Sequence, residues 1–330
     1  MESYNVDEEI LDRAVAQAAA AAPCIAAETS VAPDRLAELL SLPGPERAKA
    51  IALEQRFQTY SLAIHILERS EKVVFLHPRA ALELTHLARA VTAHINPQAC
   101  GGPAALADLG AYALAREGNA QRVCGEMAAS LAAFSRAREI QTRGGVDSHL
   151  AAQIDLMESS LRRDLGQLNT ALHLLHLAEE GFLALGEQGL WSLALINRSN
   201  VFQVQEEFDQ AAMILEEASG KAHDLHTILC IRHNLIYLLA RSGRPCEAAR
   251  LLEESRALYH WFSDPLTTSR RMWVEGLIAC GLGEDRLAEN LLDEAGTDLD
   301  ERGYAFDAAL IRLDLIKAKT NRRGEPLYTS

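Results

Sequence analysis

Two histidine pairs stand at helical i, i+3 spacing, His173 with His176 and His223 with His226. Imidazoles so spaced share one helix face and could hold a transition metal, but a site needs a third ligand within reach. Asp224 and Cys230 are close enough in sequence to be considered for the second pair. Imidazole on a helix surface is satisfied without any metal, so these are read as ordinary helix histidines. The sequence contains no Gly-x4-Gly-Lys-Ser/Thr phosphate loop, no Gly-x-Gly-x-x-Gly after a strand, no Gly-x-Ser-x-Gly, no His-Glu-x-x-His and no Asp-rich calcium loop. Its acidic residues fall largely in runs such as Glu206-Glu207, Glu216-Glu217 and Glu253-Glu254, which suit solvated helix faces and turns. The expectation is a protein that is not an enzyme and holds no cofactor or metal.

The elements that would position any binding group are repeats. A small, large, small triad recurs as Ala171-x3-Leu175-x2-Ala178, Ala211-x3-Leu215-x2-Ala218, Ala248-x3-Leu252-x2-Ser255 and Ala288-x3-Leu292-x2-Ala295, with steps of 40, 37 and 40 residues. A weaker copy, Ser130-x3-Phe134-x2-Ala137, precedes them by 41. Five residues before each triad lies a turn position, filled by Gly125, Gly166, Glu206, Gly243 and Gly283, and an amphipathic stretch precedes each turn. Small residues facing large ones let two antiparallel helices approach closely, and the glycine supplies a backbone conformation costly for other residues. One such hairpin cannot bury its apolar stripe alone, so hairpins must stack. Composition agrees with a helical chain: 20 Gly and 10 Pro in 330 residues, and 5% aromatic residues, are thin for a sandwich or barrel.

The unit resembles the tetratricopeptide repeat (TPR), whose second helix carries a small residue followed by Ala-x3-Phe-x2-Ala. The 40-residue step resembles the extended repeats of helical regions in bacterial signalling and regulatory proteins, with the match covering residues 103 to the C-terminus. The resemblance implies an all-α, right-handed superhelical solenoid of antiparallel hairpins. It also implies a concave groove lined by the first helix of each hairpin. Counting back from the triads, the polar members of that lining are Arg116, Asn119 and Arg122; Gln153, Ser160 and Arg163; Asn197, Asn200 and Gln203; His233, Asn234 and Tyr237; and Arg270 with Trp273 beside it. No carboxylate is among them, so a neutral to basic groove is expected on a chain of net charge −14. Amides, guanidiniums and aromatics suit an extended peptide backbone and its carboxylates. The set resembles in kind the carboxylate-clamp repeats, though their Lys is absent.

The domain reading is an Ala-rich helical segment over 1–45, a degenerate helical hairpin over 46–102 continuing the solenoid, five TPR-like hairpins plus a terminal half-repeat over 103–323, and a disordered tail over 324–330. Within the first two segments, short helices are expected over 9–22 and 34–41 around a loop holding Pro23 and Pro33. A single helix is expected from Glu46 to Ser70, and another from Arg79 to Ile95, with the Lys72–Leu76 run connecting the two. The acidic N-terminus lacks the basic and apolar regions of a secretory signal, and six cysteines without Cys-x-x-Cys spacing fit a reducing cytoplasm. The function expected is a noncatalytic protein- or peptide-binding adaptor or regulatory subunit. The alternative is an effector-sensing regulator of transcription or signalling whose output domain another chain supplies. The acidic charge opposes direct contact with nucleic acid or an anionic membrane. The terminal half-repeat, Gly303 to about Thr320, is either a cap or a docking face, and through the terminal helices the chain could self-associate.

Overall fold

The computed structural model describes residues 26–145, 148–222 and 224–323, and every element in it is helical. The helix expected over 9–22, the tail over 324–330 and His223 lie outside the described residues. The chain forms two units, one through Leu161 and one from Arg162.

The first unit holds α1 (26–41), α2 (Gly44–Leu53), α3 (Tyr60–Val73), α4 (Pro78–Thr92), α5 (Pro103–Val123), α6 (Met127–Gln141) and all but the last residues of α7 (Ser148–Asp164). Helix α1 runs through Pro33 where a loop is expected. Ala32, Leu36 and Leu39 bury their side chains in one core with α3 and α4, and that packing outweighs the local cost of an interior proline. The single helix expected from Glu46 to Ser70 is two helices. The Thr59 hydroxyl accepts the Leu62 N–H as an N-cap for α3, and the Gln58 amide donates to the Ile51 carbonyl at 2.8 Å to close α2. Phe57, between them, is fully buried and anchors the corner, while Leu53, four residues before it, is exposed. Arg47 performs the matching task at the end of α1, its guanidinium donating to the Leu39 and Leu42 carbonyls at 2.8 and 3.0 Å.

The second unit holds α8 (Leu168–Leu185), α9 (Gln188–Val204), α10 (Phe208–Ser219), α11 (Leu225–Arg241), α12 (Pro245–Glu254), α13 (Arg256–Trp261), α14 (Pro265–Gly281), α15 (Asp285–Glu301) and α16 (Ala305–Arg323). The hairpins fall where the triads place them: α5 with α6, α9 with α10, α11 with α12, and α14 with α15, with α7 and α8 carrying the corresponding sequence and α16 as the half-repeat. The triad side chains of α6, α8, α10 and α15 are buried, most of them completely. In the fourth repeat the second helix stops at Ser255, which is fully buried, and α13 begins at the next residue.

All five turn positions have left-handed backbone, with φ of +80° at Gly125, +72° at Gly166, +61° at Glu206, +75° at Gly243 and +78° at Gly283. The bond pattern closing them is shared. The N–H three residues past the helix reaches back to the carbonyl five residues earlier, as in Glu126 to Gln121, Gln167 to Arg162, Glu207 to Phe202 and Glu284 to Ala279, each at 2.8 or 2.9 Å. This is the Schellman closure of a helix C-terminus, and it satisfies carbonyls the helix leaves open.

Candidate functional site

In the second unit the first helices pack directly on one another, α9 on α11, α11 on α14 and α14 on α16, and so form one wall. A continuous chain of side chains crosses it. Gln203 on α9 lies beside the Tyr237 hydroxyl on α11. The Tyr237 ring meets the edge of Trp273 on α14 at a centroid distance of 5.3 Å. Trp273 Nε1 then donates to Asp314 Oδ2 on α16 at 3.0 Å, and Arg241 at the end of α11 closes the circuit by pairing with Asp314 Oδ1. Tyr237, Trp273 and Asp314 are buried. Burial pushes the Tyr237 hydroxyl up, with the Arg241 charge partly offsetting it. These three form the interior of the wall rather than its surface.

His233 is likewise occupied. Its Nδ1 is hydrogen-bonded to the Tyr259 hydroxyl of α13 at 2.9 Å, and burial together with the Arg270 charge lowers its pKa to about 3. The imidazole is neutral, and burial also raises the Tyr259 hydroxyl well above its ordinary value. The predicted arginines carry partners. Arg116 donates to Glu71 at 2.7 Å and to the Tyr112 hydroxyl at 2.9 Å, Arg163 pairs with Asp164 at 2.7 Å, and Arg270 pairs with Asp307 at 3.0 Å. Arg122 and Asn119 bind each other at 3.2 Å, and Gln153 bonds His149 at 2.8 Å.

The first helices also carry carboxylates, in buried positions. Glu117, Asp155, Glu158 and Asp314 are buried on first helices, where Arg89 meets Glu117, Arg138 meets Asp155 and Glu158, and Arg241 meets Asp314. A guanidinium taken out of water needs a compensating charge, and the neighbouring helix supplies it. A carboxylate set inside an apolar run, as Asp314 is between Leu313 and Leu315, is the sequence signal for such a partner.

What remains open on the wall is a set of amides. Asn197 and Asn200 on α9 and Asn234 on α11 are half-buried, and among the described residues no hydrogen bond holds their side chains. Asn197 and Asn234 each precede their triad by 14 residues, so they occupy the same register on two helices in contact. Ser160 is half-buried on α7.

Among the described residues, which do not include His223, no group of three metal-ligating side chains comes together. His173 and His176 are exposed on α8, with His176 3.4 Å from Glu180. Asp224 is the N-cap of α11, accepting the Thr227 N–H at 2.8 Å, and His226 packs edge-on against Phe262. No helix among the described residues is long and apolar enough to cross a membrane.

No protein-family model matches the chain. No curated protein matches it either. Solved structures do. A Rap protein complexed with competence and sporulation factor superposes with a TM-score of 0.56 at 15% identity, covering 87% of this chain and 83% of that one. Aspartyl phosphate phosphatase F from Bacillus subtilis superposes with the same score at 13% identity, covering 87% of this chain and 76% of the other. At such identities the likeness is one of fold. Together with the buried triads and left-handed turns, it shows that the chain has the all-α, tetratricopeptide-like solenoid fold.

Proposed function

We propose that this protein is a noncatalytic adaptor or regulatory subunit that holds a protein or peptide against the first-helix wall of its second unit. The observation that carries the reading is the trio of half-buried, uncommitted amides, Asn197, Asn200 and Asn234, on two touching helices. A primary amide offers a donor pair and an acceptor, which is what an extended peptide backbone presents in reverse. The buried circuit from Gln203 to Asp314 supports them by keeping α9, α11, α14 and α16 in fixed relation, so little ordering is left for the ligand to drive. The Rap protein of the same fold that is complexed with competence and sporulation factor supports a bound regulatory factor. A net charge of −14 favours such a partner over nucleic acid. The free thiols at Cys100, Cys124, Cys230, Cys246 and Cys280 suit a reducing cytoplasm.

The test is selection of a random peptide library on the purified chain, followed by affinity measurement on Asn197→Ala/Asn200→Ala/Asn234→Ala. Enriched peptides are expected to bind the triple variant at least tenfold more weakly while its thermal midpoint is unchanged. Enrichment of nothing, or equal binding to the variant, overturns the reading.

A further inference from the structure

The half-repeat α16 exposes a seam that every complete hairpin buries. Twelve residues before each triad stand Gly118, Ser159, Ser199, Ile236 and Gly276, all buried. There the first helix meets its own second helix: the Ser199 hydroxyl donates to the Ala211 carbonyl at 3.0 Å, and a Cβ on Gly276 would come within 2.8 Å of Leu292. Continuing the 40-residue step, the equivalent on α16 is Ile316, which is 54% exposed. Fifteen residues before the triads, Ala115, Leu156, Ile196 and Trp273 are buried and His233 is bonded to Tyr259, yet the equivalent Leu313 is 55% exposed. Nineteen before, Ala111, Ala152, Ser192, Leu229 and Ser269 are buried and the equivalent Ala309 is exposed. Ala309, Leu313 and Ile316 therefore form a stripe at i, i+4, i+7 with the small, large, large profile of a helix-packing face. No second helix covers it among the described residues.

The charges beside the stripe say what would. The carboxylates of α16 are committed on other sides, Asp307 to Arg270 and Asp314 to Arg241 and Trp273. Exposed next to Leu313 and Ile316 stand Lys317, Lys319 and Arg312, the last reaching Asp300. Two copies meeting through this face would set like charges against each other, whereas an acidic helix would be paired. The second helix of the preceding repeat has that character: α15 carries seven carboxylates against one arginine and already packs on α16 from the opposite side, its Gly296 against Ile311.

We propose that the Ala309–Leu313–Ile316 face of α16 is a docking site for an acidic amphipathic helix of a partner protein. The site is separate from the amide wall, so either can stand without the other.

The probe is a labelled synthetic peptide of residues 285–301, titrated into the full chain at low salt by fluorescence anisotropy. Saturable binding is expected. It should weaken at least tenfold in Leu313→Glu/Ile316→Glu, which alters only exposed side chains, and severalfold in Lys317→Glu/Lys319→Glu or at 300 mM salt, as screening of an ionic rim requires. A peptide with its carboxylates replaced by lysines should not bind. Absence of binding, equal binding to the apolar double variant, or equal binding of the lysine peptide overturns the proposal. So does sedimentation showing a dimer of the native chain that Leu313→Glu/Ile316→Glu dissociates, since the occupant would then be a second copy.

Discussion

Trp273 Nε1 donates to Asp314 Oδ2 at 3.0 Å, a bond between residues 41 positions apart that ties the last complete hairpin to the terminal helix. The carboxylate is 6% exposed and its other oxygen faces Arg241, so both of its strong partners are contributed by earlier repeats. Trp273→Phe keeps the ring but removes the donor. It should lower stability by about 1–3 kcal/mol, the cost of leaving a buried acceptor short of a partner. Asp314→Ala, which strands Arg241 as well, should cost about 3–5 kcal/mol. Urea denaturation of both variants checks the order.

Glu206 occupies, at φ +61°, the turn that glycine occupies in the other four hairpins. A side chain in that region costs about 1–2 kcal/mol, while glycine adds entropy to the unfolded chain worth about half of that. Glu206→Gly should therefore stabilise the protein by up to about 1 kcal/mol, and Gly283→Ala should destabilise it by a similar amount. Thermal midpoints moving in the same direction for both variants would refute this assignment of strain.

His233 should make stability fall with acidification. Its folded pKa of about 3 lies below the ordinary value of 6.5, so between these limits the unfolded chain binds the extra proton. Stability from this group is complete above pH 6.5 and declines as pH drops toward 3. The loss should reach about 2 kcal/mol at pH 5, following the proton difference at about 1.4 kcal/mol per pH unit. Tyr259, bonded to the ring, is pushed by burial above its ordinary value and so stays neutral in this window. Urea midpoints measured from pH 7.5 to 5 should fall less steeply in His233→Gln than in the parent.

Gly276 lets α14 close on α15. An added methyl would lie 2.8 Å from Leu292, which is fully buried and cannot swing away. Gly276→Ala should cost about 1–3 kcal/mol through overpacking, despite alanine being the better helix former. Circular dichroism during thermal unfolding would show the sign, and a rise in midpoint would disprove the close approach.

The repeat architecture was legible because its signals are local. Triads at a near-constant step and the turn five residues before each are confined to single hairpins, and the buried Ala171, Leu175 and Ala178 stand where that spacing requires. The N-terminal region is less legible in its sequence. The apolar spacing of Leu53, Phe57, Tyr60 and Ile64 continues across a corner that Thr59 and Gln58 create by capping, and periodicity alone does not register a cap. The amides of the candidate wall were also reachable by counting from the triads. Their freedom was not, because it depends on what the adjoining helices bring.

By itself the amino-acid sequence determined that this protein is a stack of helical hairpins and where each turns, since these follow from contacts within about 40 residues. Tertiary structure decided the fate of the polar residues on the first helices. Tyr237 and Trp273 became interior, Arg116 and Arg270 acquired carboxylates from other helices, and Asn197 with Asn234 stayed open. The reason is that a buried charge or donor must be satisfied by whatever lies nearest in space, and for Arg241 that is Asp314, 73 residues away.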